Sequence, residues 1–207
     1  MIAVIDYGMG NLKSVENSAR SLGKKVKVVD SGAGIKKAKK IIFPGVGNFG
    51  MTIKELKKRK IFDVLKAKIK EGTPYLGICI GMQVLFEQSQ EAPGAKGLSL
   101  IKGKVKEFKT KSLIVPHMGW NQTEFSKAYR LSGGKKLFKG IRDRSFFYFV
   151  HSYYCEPKDK DVILTKTDYG VKFASSIYKD NIWALQFHAE KSQKFGLKVF
   201  SNFLNLC

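Results

Sequence analysis

The chain has 207 residues, 43% of them hydrophobic, with 38 lysines and arginines against 17 acids for a net charge of +21. That length suits one α/β domain with a full core, 1–207, and no apolar run is long enough to span a bilayer, so no membrane partner is expected. Charge of this size invites a nucleic-acid reading; the lysines, however, fall between apolar helix positions along the whole chain and no basic–aromatic motif for stacking bases is present, so a solvated lysine-rich surface is expected and no nucleic-acid partner.

Ile2 to Ile5 is a near-continuous apolar run, the pattern of a strand buried on both faces of a parallel sheet. The opening Met1–Asp6 has no basic region of the kind a signal peptide carries. Tyr7 to Asn11 is a turn; Asn11 can cap a helix whose apolar residues Leu12, Val15, Ala19 and Leu22 keep helical spacing, and Gly23 ends it. Gly8-Met9-Gly10 is only part of a dinucleotide fingerprint. The third glycine is missing and no acid follows the second strand in the right place, so no Rossmann cofactor is expected.

Val26 to Val29 is a second strand and Lys40 to Phe43 a third, running into Pro44-Gly45-Val46-Gly47-Asn48-Phe49. A glycine-rich loop at the C-terminal end of a strand offers free N–H groups at the sheet edge where α/β sites form, although an ordinary βα turn reads the same way. Ile61, Val64, Leu65 and Ile69 mark an amphipathic helix ending at Gly72. A buried strand, Tyr75 to Ile78, then enters a sharp turn at Cys79 and a helix from about Gly81. The order is β-α repeated four times, which predicts a mostly parallel, doubly wound, flavodoxin-like sheet with helices on both faces.

After about Glu91 the pattern changes. Leu98–Phe108, Leu113–Val115, Phe146–Val150, Val162–Thr167, Lys172–Tyr178 and Ile182–Phe187 read as short strands of an antiparallel extension, and Ser192 as the cap of a last helix carrying Phe195, Val199, Phe200 and Phe203. The three cysteines, Cys79, Cys155 and Cys207, have no paired spacing, which points to a reducing cytoplasm rather than a disulfide framework. His117, His151 and His188 lie far apart in sequence, so no metal site is expected.

Gly77-Ile78-Cys79-Ile80-Gly81 is the thiol version of the nucleophile elbow: the turn leaves no room for side chains at its two glycines and lifts the sulfur clear at a helix N-terminus. A buried structural cysteine between two turn glycines is the alternative. A cysteine nucleophile needs a base, and the base needs an orienting partner. Phe187-His188-Ala189-Glu190 supplies both, because residues two apart in an extended or turning segment share a side.

These two stretches together resemble the class I, triad-type glutamine amidotransferases. Ile5 to Leu12, Val115 to Asn121 and Phe149 to Tyr154 narrow the resemblance to the glutaminase subunits of imidazole glycerol phosphate synthases, and it runs in order from Met1 to the last helix. The resemblance implies Cys79 as nucleophile, His188 as base and Glu190 as its orienting acid. It implies an oxyanion hole from the Ile80 N–H and the Val46–Gly47 region, with Gly45, Gln83, Glu91, Ser152 and Tyr153 around L-glutamine. It implies no cofactor. Pro116, His117, Met118, Gly119 and Trp120 would face a (β/α)8 cyclase in a heterodimer, which receives the ammonia. One residue departs: the family has His-Pro-Glu where this chain has His188-Ala189-Glu190, which leaves the segment less preset. Paralogues that feed ammonia to sugar-modifying amidotransferases, a stand-alone cysteine hydrolase and a basic nucleic-acid-binding protein are the alternatives.

Overall fold

The computed structural model describes residues 1–109, 113–131 and 133–207. The first three apolar runs form β1 (Ile2–Ile5), β2 (Val26–Val29) and β3 (Lys40–Phe43), and the run before the elbow forms β4 (Tyr75–Ile78). Their alternation explains why both faces are covered. Ala3, Ile5, Ile41 and Phe43 enter one core cluster, while Val4, Ile42, Leu76 and Ile78 enter the other. A strand apolar on both sides is stable only between two helical layers.

Helix α1 (Leu12–Ser21) begins as the sequence indicates: the Asn11 side chain accepts from Ser14 N at 3.2 Å, and Val15 and Ala19 are buried. Gly23 lies just past its end at φ +67°, the left-handed conformation that closes helices with least strain. A short helix, α2 (Gly32–Lys36), precedes β3. Where one helix was expected before β4 there are two, α3 (Phe49–Lys58) and α4 (Phe62–Lys70). On α4 the buried residues Leu65 and Ile69 form one stripe and the lysines lie off it, as a solvated face requires.

The remaining strands are β5 (Gln88–Ser89), β6 (Gly103–Glu107), β7 (His117–Phe125), β8 (Ser145–His151), β9 (Tyr153–Pro157), β10 (Ile163–Asp168), β11 (Lys172–Lys179) and β12 (Ile182–Leu185). They complete a nine-stranded sheet in the order β2-β1-β3-β4-β12-β11-β10-β7-β8, and a small sheet β5-β6-β9. From β2 to β12 all pairings are parallel; from β12 to β8 all are antiparallel. The antiparallel extension is thus as large as the parallel half, and the sheet is mixed. Strand order places β12, late in the chain, between β4 and the extension, in register Ile78↔Leu185.

Three local expectations change. The run Leu98–Phe108 is a strand only over Gly103–Glu107, because Leu98 and Leu100 hydrogen-bond instead to Val84 and Leu85 behind the elbow. Leu113–Val115 is irregular and the strand starts at His117, just past Pro116, which has no N–H to donate. The helix after Cys79, α5, spans only Ile80–Gln83, and a short helix, α6 (Lys127–Leu131), follows β7. The chain ends on α7 (Gln193–Leu206), whose last carbonyls accept from Lys40 Nζ of β3: Phe203 O at 2.9 Å and Leu204 O at 3.0 Å. Phe200 and Phe203 of this helix join Phe138, Phe147, Phe149, Phe187 and Trp183 in an aromatic core, with Phe147 and Phe187 stacked at 4.1 Å. Each such ring contributes roughly 2–3 kcal/mol by burial.

The elbow is the tightest point of the parallel half. A Cβ on Gly77 would fall on the Gly81 carbonyl, and one on Gly81 would fall on the Phe43 carbonyl of β3. Backbone atoms cannot step aside as a flexible side chain can. Gly77→Ala is therefore expected to cost about 2 kcal/mol or more by overpacking. Urea unfolding checks this; an unchanged midpoint would show that the elbow relaxes.

Candidate active site

The parallel pairing of β4 with β12 builds the site. Leu185 O accepts from Cys79 N at 2.7 Å, so the residues that follow β12 pass beside the elbow. Cys79 sits at φ +51°, ψ −104°, a conformation that costs a non-glycine residue roughly 1–3 kcal/mol. Its carbonyl accepts from Met82 N and Gln83 N, and its side chain is almost buried, at 6% exposure. Ile80 opens a one-turn helix, so its N–H has no intrahelical acceptor.

His188 is fully buried in an extended conformation, and a 3₁₀ turn over Ala189–Lys191 follows it. The turn swings Glu190 back so that its Oε1 lies 2.6 Å from His188 Nδ1. Pairing with a carboxylate fixes the tautomer, with the proton on Nδ1 and Nε2 directed elsewhere. Neither Nε2 nor the second Glu190 oxygen has a hydrogen-bond partner among the described residues. Burial lowers the His188 pKa, but the charge of nearby Cys79, then the hydrogen bond and charge of Glu190, outweigh it and push the imidazole up to about 10. The arrangement is that of an imidazole held beside a cysteine sulfur and oriented by a carboxylate.

Ser192 occupies the N-cap position of α7, but its hydroxyl makes no capping bond and is used elsewhere. It donates to His188 O at 2.6 Å and accepts from Tyr148 N at 3.0 Å, while His188 N donates to Tyr148 O at 2.8 Å. The histidine backbone is thereby stitched to β8. The other two cysteines sit where the thiol form is favoured. Burial first, then the Cys79 charge, pushes the Cys155 thiol well up, and burial pushes Cys207 up to about 11.

A cavity of about 270 Å³ opens next to this group. It is lined by Val46 and Gly47 of the glycine-rich loop, Gln83, Glu91, Pro116, and Val150 to Tyr153. Six of the residues singled out around substrate and oxyanion thus share one cavity: Val46, Gly47, Gln83, Glu91, Ser152 and Tyr153. Gly45 does not line it. Gly45 lies under Tyr7, where any Cβ would strike the phenol oxygen, and Tyr7 OH donates to Val46 O at 3.1 Å. Glu91 Oε2 accepts from Phe49 N at 2.6 Å, tying the end of that loop to the cavity wall.

His117 departs from its expected place on a partner face. Along β7 the side chains alternate, and His117 is buried while Met118 and Trp120 are exposed, at 62% and 46%. His117 instead meets a second histidine that sequence distance hides: its Nδ1 lies 3.1 Å from His151 Nε2, across the β7–β8 pairing. The chain of donors can be read from one fixed acceptor, the Tyr153 carbonyl. His151 Nδ1–H donates to it at 2.9 Å, so His151 Nε2 accepts from His117 Nδ1–H, and His117 Nε2 accepts from Asn121 Nδ2 at 3.2 Å. Burial lowers His117 to about 4 and His151 to about 3, so both stay neutral. The same carbonyl accepts from Gln83 Nε2 at 3.0 Å, and Gln83 in turn meets Gln186 at 3.4 Å. Sequence reading missed Gln186 as a site residue; its signal was a polar residue inside an apolar run just before His188.

The chain belongs to the class-I glutamine amidotransferase family, whose model matches residues 3–206. More narrowly, it is 45% identical over 206 residues to the imidazole glycerol phosphate synthase subunit HisH of Pyrococcus furiosus, covering 99% of this chain and 98% of that one. Identity to the HisH subunit of Methanocaldococcus jannaschii is 46%, covering all of both chains. Among solved structures, a glutamine amidotransferase aligns with TM-score 0.76 at 17% identity, covering 100% of this chain and 98% of that one. PurLQS from Thermotoga maritima aligns with TM-score 0.72 at 16% identity, covering 99% and 97%. At such identities these two speak for the fold alone.

Two predictions rest on this geometry. Cys79→Ser and His188→Asn should each lower glutamate release from L-glutamine by several orders of magnitude, because they act as a unit; Glu190→Gln keeps the base and should cost less. Steady-state kinetics checks the order, and a larger loss for Glu190→Gln would overturn these roles. The second concerns pH. Both buried histidines bind protons less readily than in the unfolded chain, whose value is about 6.5, so stability is complete above that value and lost as pH falls towards 4. The expected loss is about 2 kcal/mol per histidine between pH 7 and pH 5. His117→Phe keeps a ring stacked between Tyr169 and Phe149 and removes one titrating group. Urea midpoints at the two pH values should therefore fall less in that variant than in the wild type.

Proposed function

We propose that this chain is the glutaminase subunit of an imidazole glycerol phosphate synthase, which hydrolyses L-glutamine and delivers ammonia to a (β/α)8 cyclase partner in histidine biosynthesis. The observation that carries the reading is the cavity beside Cys79, where the glycine-rich loop, Gln83, Glu91 and the Ser152–Tyr153 wall converge. Full-length similarity to HisH subunits of two organisms supports the narrower assignment.

In this reading the Cys79 sulfur attacks the carboxamide carbon of glutamine. The developing oxyanion meets the Ile80 N–H and an N–H from Val46–Gly47. His188, held by Glu190, passes its Nε2 proton to the departing nitrogen, and ammonia leaves a γ-glutamyl thioester. Water then attacks the thioester while His188 takes its proton, which returns glutamate and the free thiolate. Glu91 supplies a negative charge for the substrate's ammonium. Gln83 has its Nε2 committed to Tyr153, so it can offer only its amide oxygen, also an acceptor suited to an ammonium.

The partner reading rests on apolar surface near the cavity. Met118 and Trp120 project from β7, Phe146 is half-exposed on β8, and Ile114 is 82% exposed just before Pro116 of the cavity wall. Exposed apolar residues gathered beside a site are the usual mark of a protein interface. Cytoplasmic residence accords with the free cysteines, and no helix among the described residues is long and apolar enough to cross a membrane.

The oxyanion loop gives the partner something to control. Gly45 and Gly47 lie at φ +142° and +153°, conformations open to glycine, and they flank a residue whose carbonyl is fastened to Tyr7. Peptide units next to these glycines can rotate between presenting an N–H and a carbonyl to the substrate. One missing oxyanion donor costs about 10²–10³ in rate. Glutamate release by the isolated chain should therefore be nearly silent and rise by at least about 10² with the cyclase and its ligand. Full activity in the isolated chain would defeat the gating and favour a stand-alone hydrolase.

A further inference from the structure

Gln186 is fully buried between Leu185 and Phe187, both also buried, and its backbone N donates to Ser175 O at 2.9 Å. Packing alone would be met by a hydrophobe. A buried amide is stable only where its polar atoms are satisfied. Here the side chain has three polar neighbours: Cys79 Sγ at 3.7 Å, Gln83 Nε2 at 3.4 Å and Cys155 Sγ at 4.0 Å. The Tyr153 carbonyl settles which end faces which. It only accepts, so Gln83 must present Nε2 to it. Gln186 must then turn Oε1 to Gln83, since two NH₂ groups would clash, and that leaves its Nε2–H on the Cys79 sulfur.

The second contact of the sulfur sharpens the point. Val150 O lies 3.8 Å from Cys79 Sγ. A carbonyl can accept from a thiol but repels a thiolate. An amide N–H does the reverse, since a donor is more strongly bound by an anion. The two neighbours therefore favour opposite protonation states. We infer that Gln186 is a positioning residue for the nucleophile: its Nε2–H holds the Cys79 sulfur as the thiolate, opposing the Val150 carbonyl, and ties that sulfur through Gln83 to the substrate wall. The inference rests on Cys79 being the reactive centre of the proposed glutaminase.

The test uses alkylation of the full chain by iodoacetamide, followed at Cys79 by peptide mass mapping across pH. Gln186→Met keeps an unbranched side chain of similar length and removes the donor. Its Cys79 alkylation midpoint should move up by about one pH unit, so the rate at pH values below the midpoint falls about tenfold. Cys155→Ala should overlay the wild type, because the sulfur keeps its donor. With the cyclase present, glutamine turnover by Gln186→Met should fall in kcat with KM within about threefold. An alkylation profile within twofold of wild type at every pH would overturn the inference, as would a change in KM alone. If near-UV circular dichroism shows that Gln186→Met is not folded, Gln186→Leu repeats the measurement under the same criteria. Because alkylation needs no glutamine, a shifted profile in a chain that releases no glutamate would uphold the role of Gln186 and sink the glutaminase reading.

Discussion

The pairing of β4 with β12 is the constraint on which the rest depends. Each strand is short, only four residues, and each leads into a different part of the site: β4 into the elbow, β12 into Gln186 and His188. Their register, Ile78 opposite Leu185, fixes how far along β12 the chain must run before it meets the sulfur. A slip of one residue would put every side chain on the other face. The sheet prevents such a slip by burying both faces of β4 and β12, and the Cys79 N–H to Leu185 O bond continues the ladder one step into the turn. The strained Cys79 backbone persists because this ladder and the two elbow glycines leave it no other path.

Around that pairing lies a buried polar network with one hub. The Tyr153 carbonyl accepts from Gln83 and His151, and so sets the direction of every donor on both sides of it. On one side the order runs through Gln186 to the nucleophile, and on the other through His117 to Asn121, which also donates to Asp168 O at 2.9 Å. A network in which each member has one satisfied orientation is rigid, and a partly satisfied one is costly. The neutral histidines suit this role. An imidazolium at His151 would face the His117 N–H with a second N–H, and the pair would repel.

Much of this was legible in the sequence, and the rest was hidden for physical reasons. The elbow, the His188–Glu190 pair, the Asn11 cap and the parallel half were readable because each depends on residues within a few positions of one another. The glycine-rich loop was marked by its place at the end of β3, Gln83 and Glu91 came from family resemblance, and the cavity gathers all three. The His117–His151 contact was not readable, because it arises from strand pairing across a long hairpin and not from spacing. Neither was the inward turn of His117, since the pleat of β7 decides which of His117 and Met118 faces solvent. Ser192 looked like a helix cap by position alone; tertiary partners at His188 and Tyr148 claim its hydroxyl. Gln186 carried a signal, a glutamine in an apolar run, but only the structure shows what it touches.

Ala189, the one departure from the family motif, can be judged on the same terms. A proline there would hold the preceding residue extended and fix φ at the start of the turn. His188 already has φ −90° and ψ 95°, in the extended region, and Ala189 opens the 3₁₀ turn, a position at which proline is tolerated because its missing N–H has no intrahelical acceptor. Neighbours impose what the ring would have imposed. Ser192 Oγ holds His188 O, Ser192 N donates to Ala189 O at 3.1 Å, and α7 approaches so closely at Gly196 that a Cβ there would collide with the Ala189 carbonyl. The turn is therefore set by packing from α7 and stitching to β8, not by a single rigid residue. What the missing ring changes is the unfolded chain, which gains freedom at that position. Packing from α7 and stitching to β8 thus hold the segment that carries the 2.6 Å contact between His188 and Glu190.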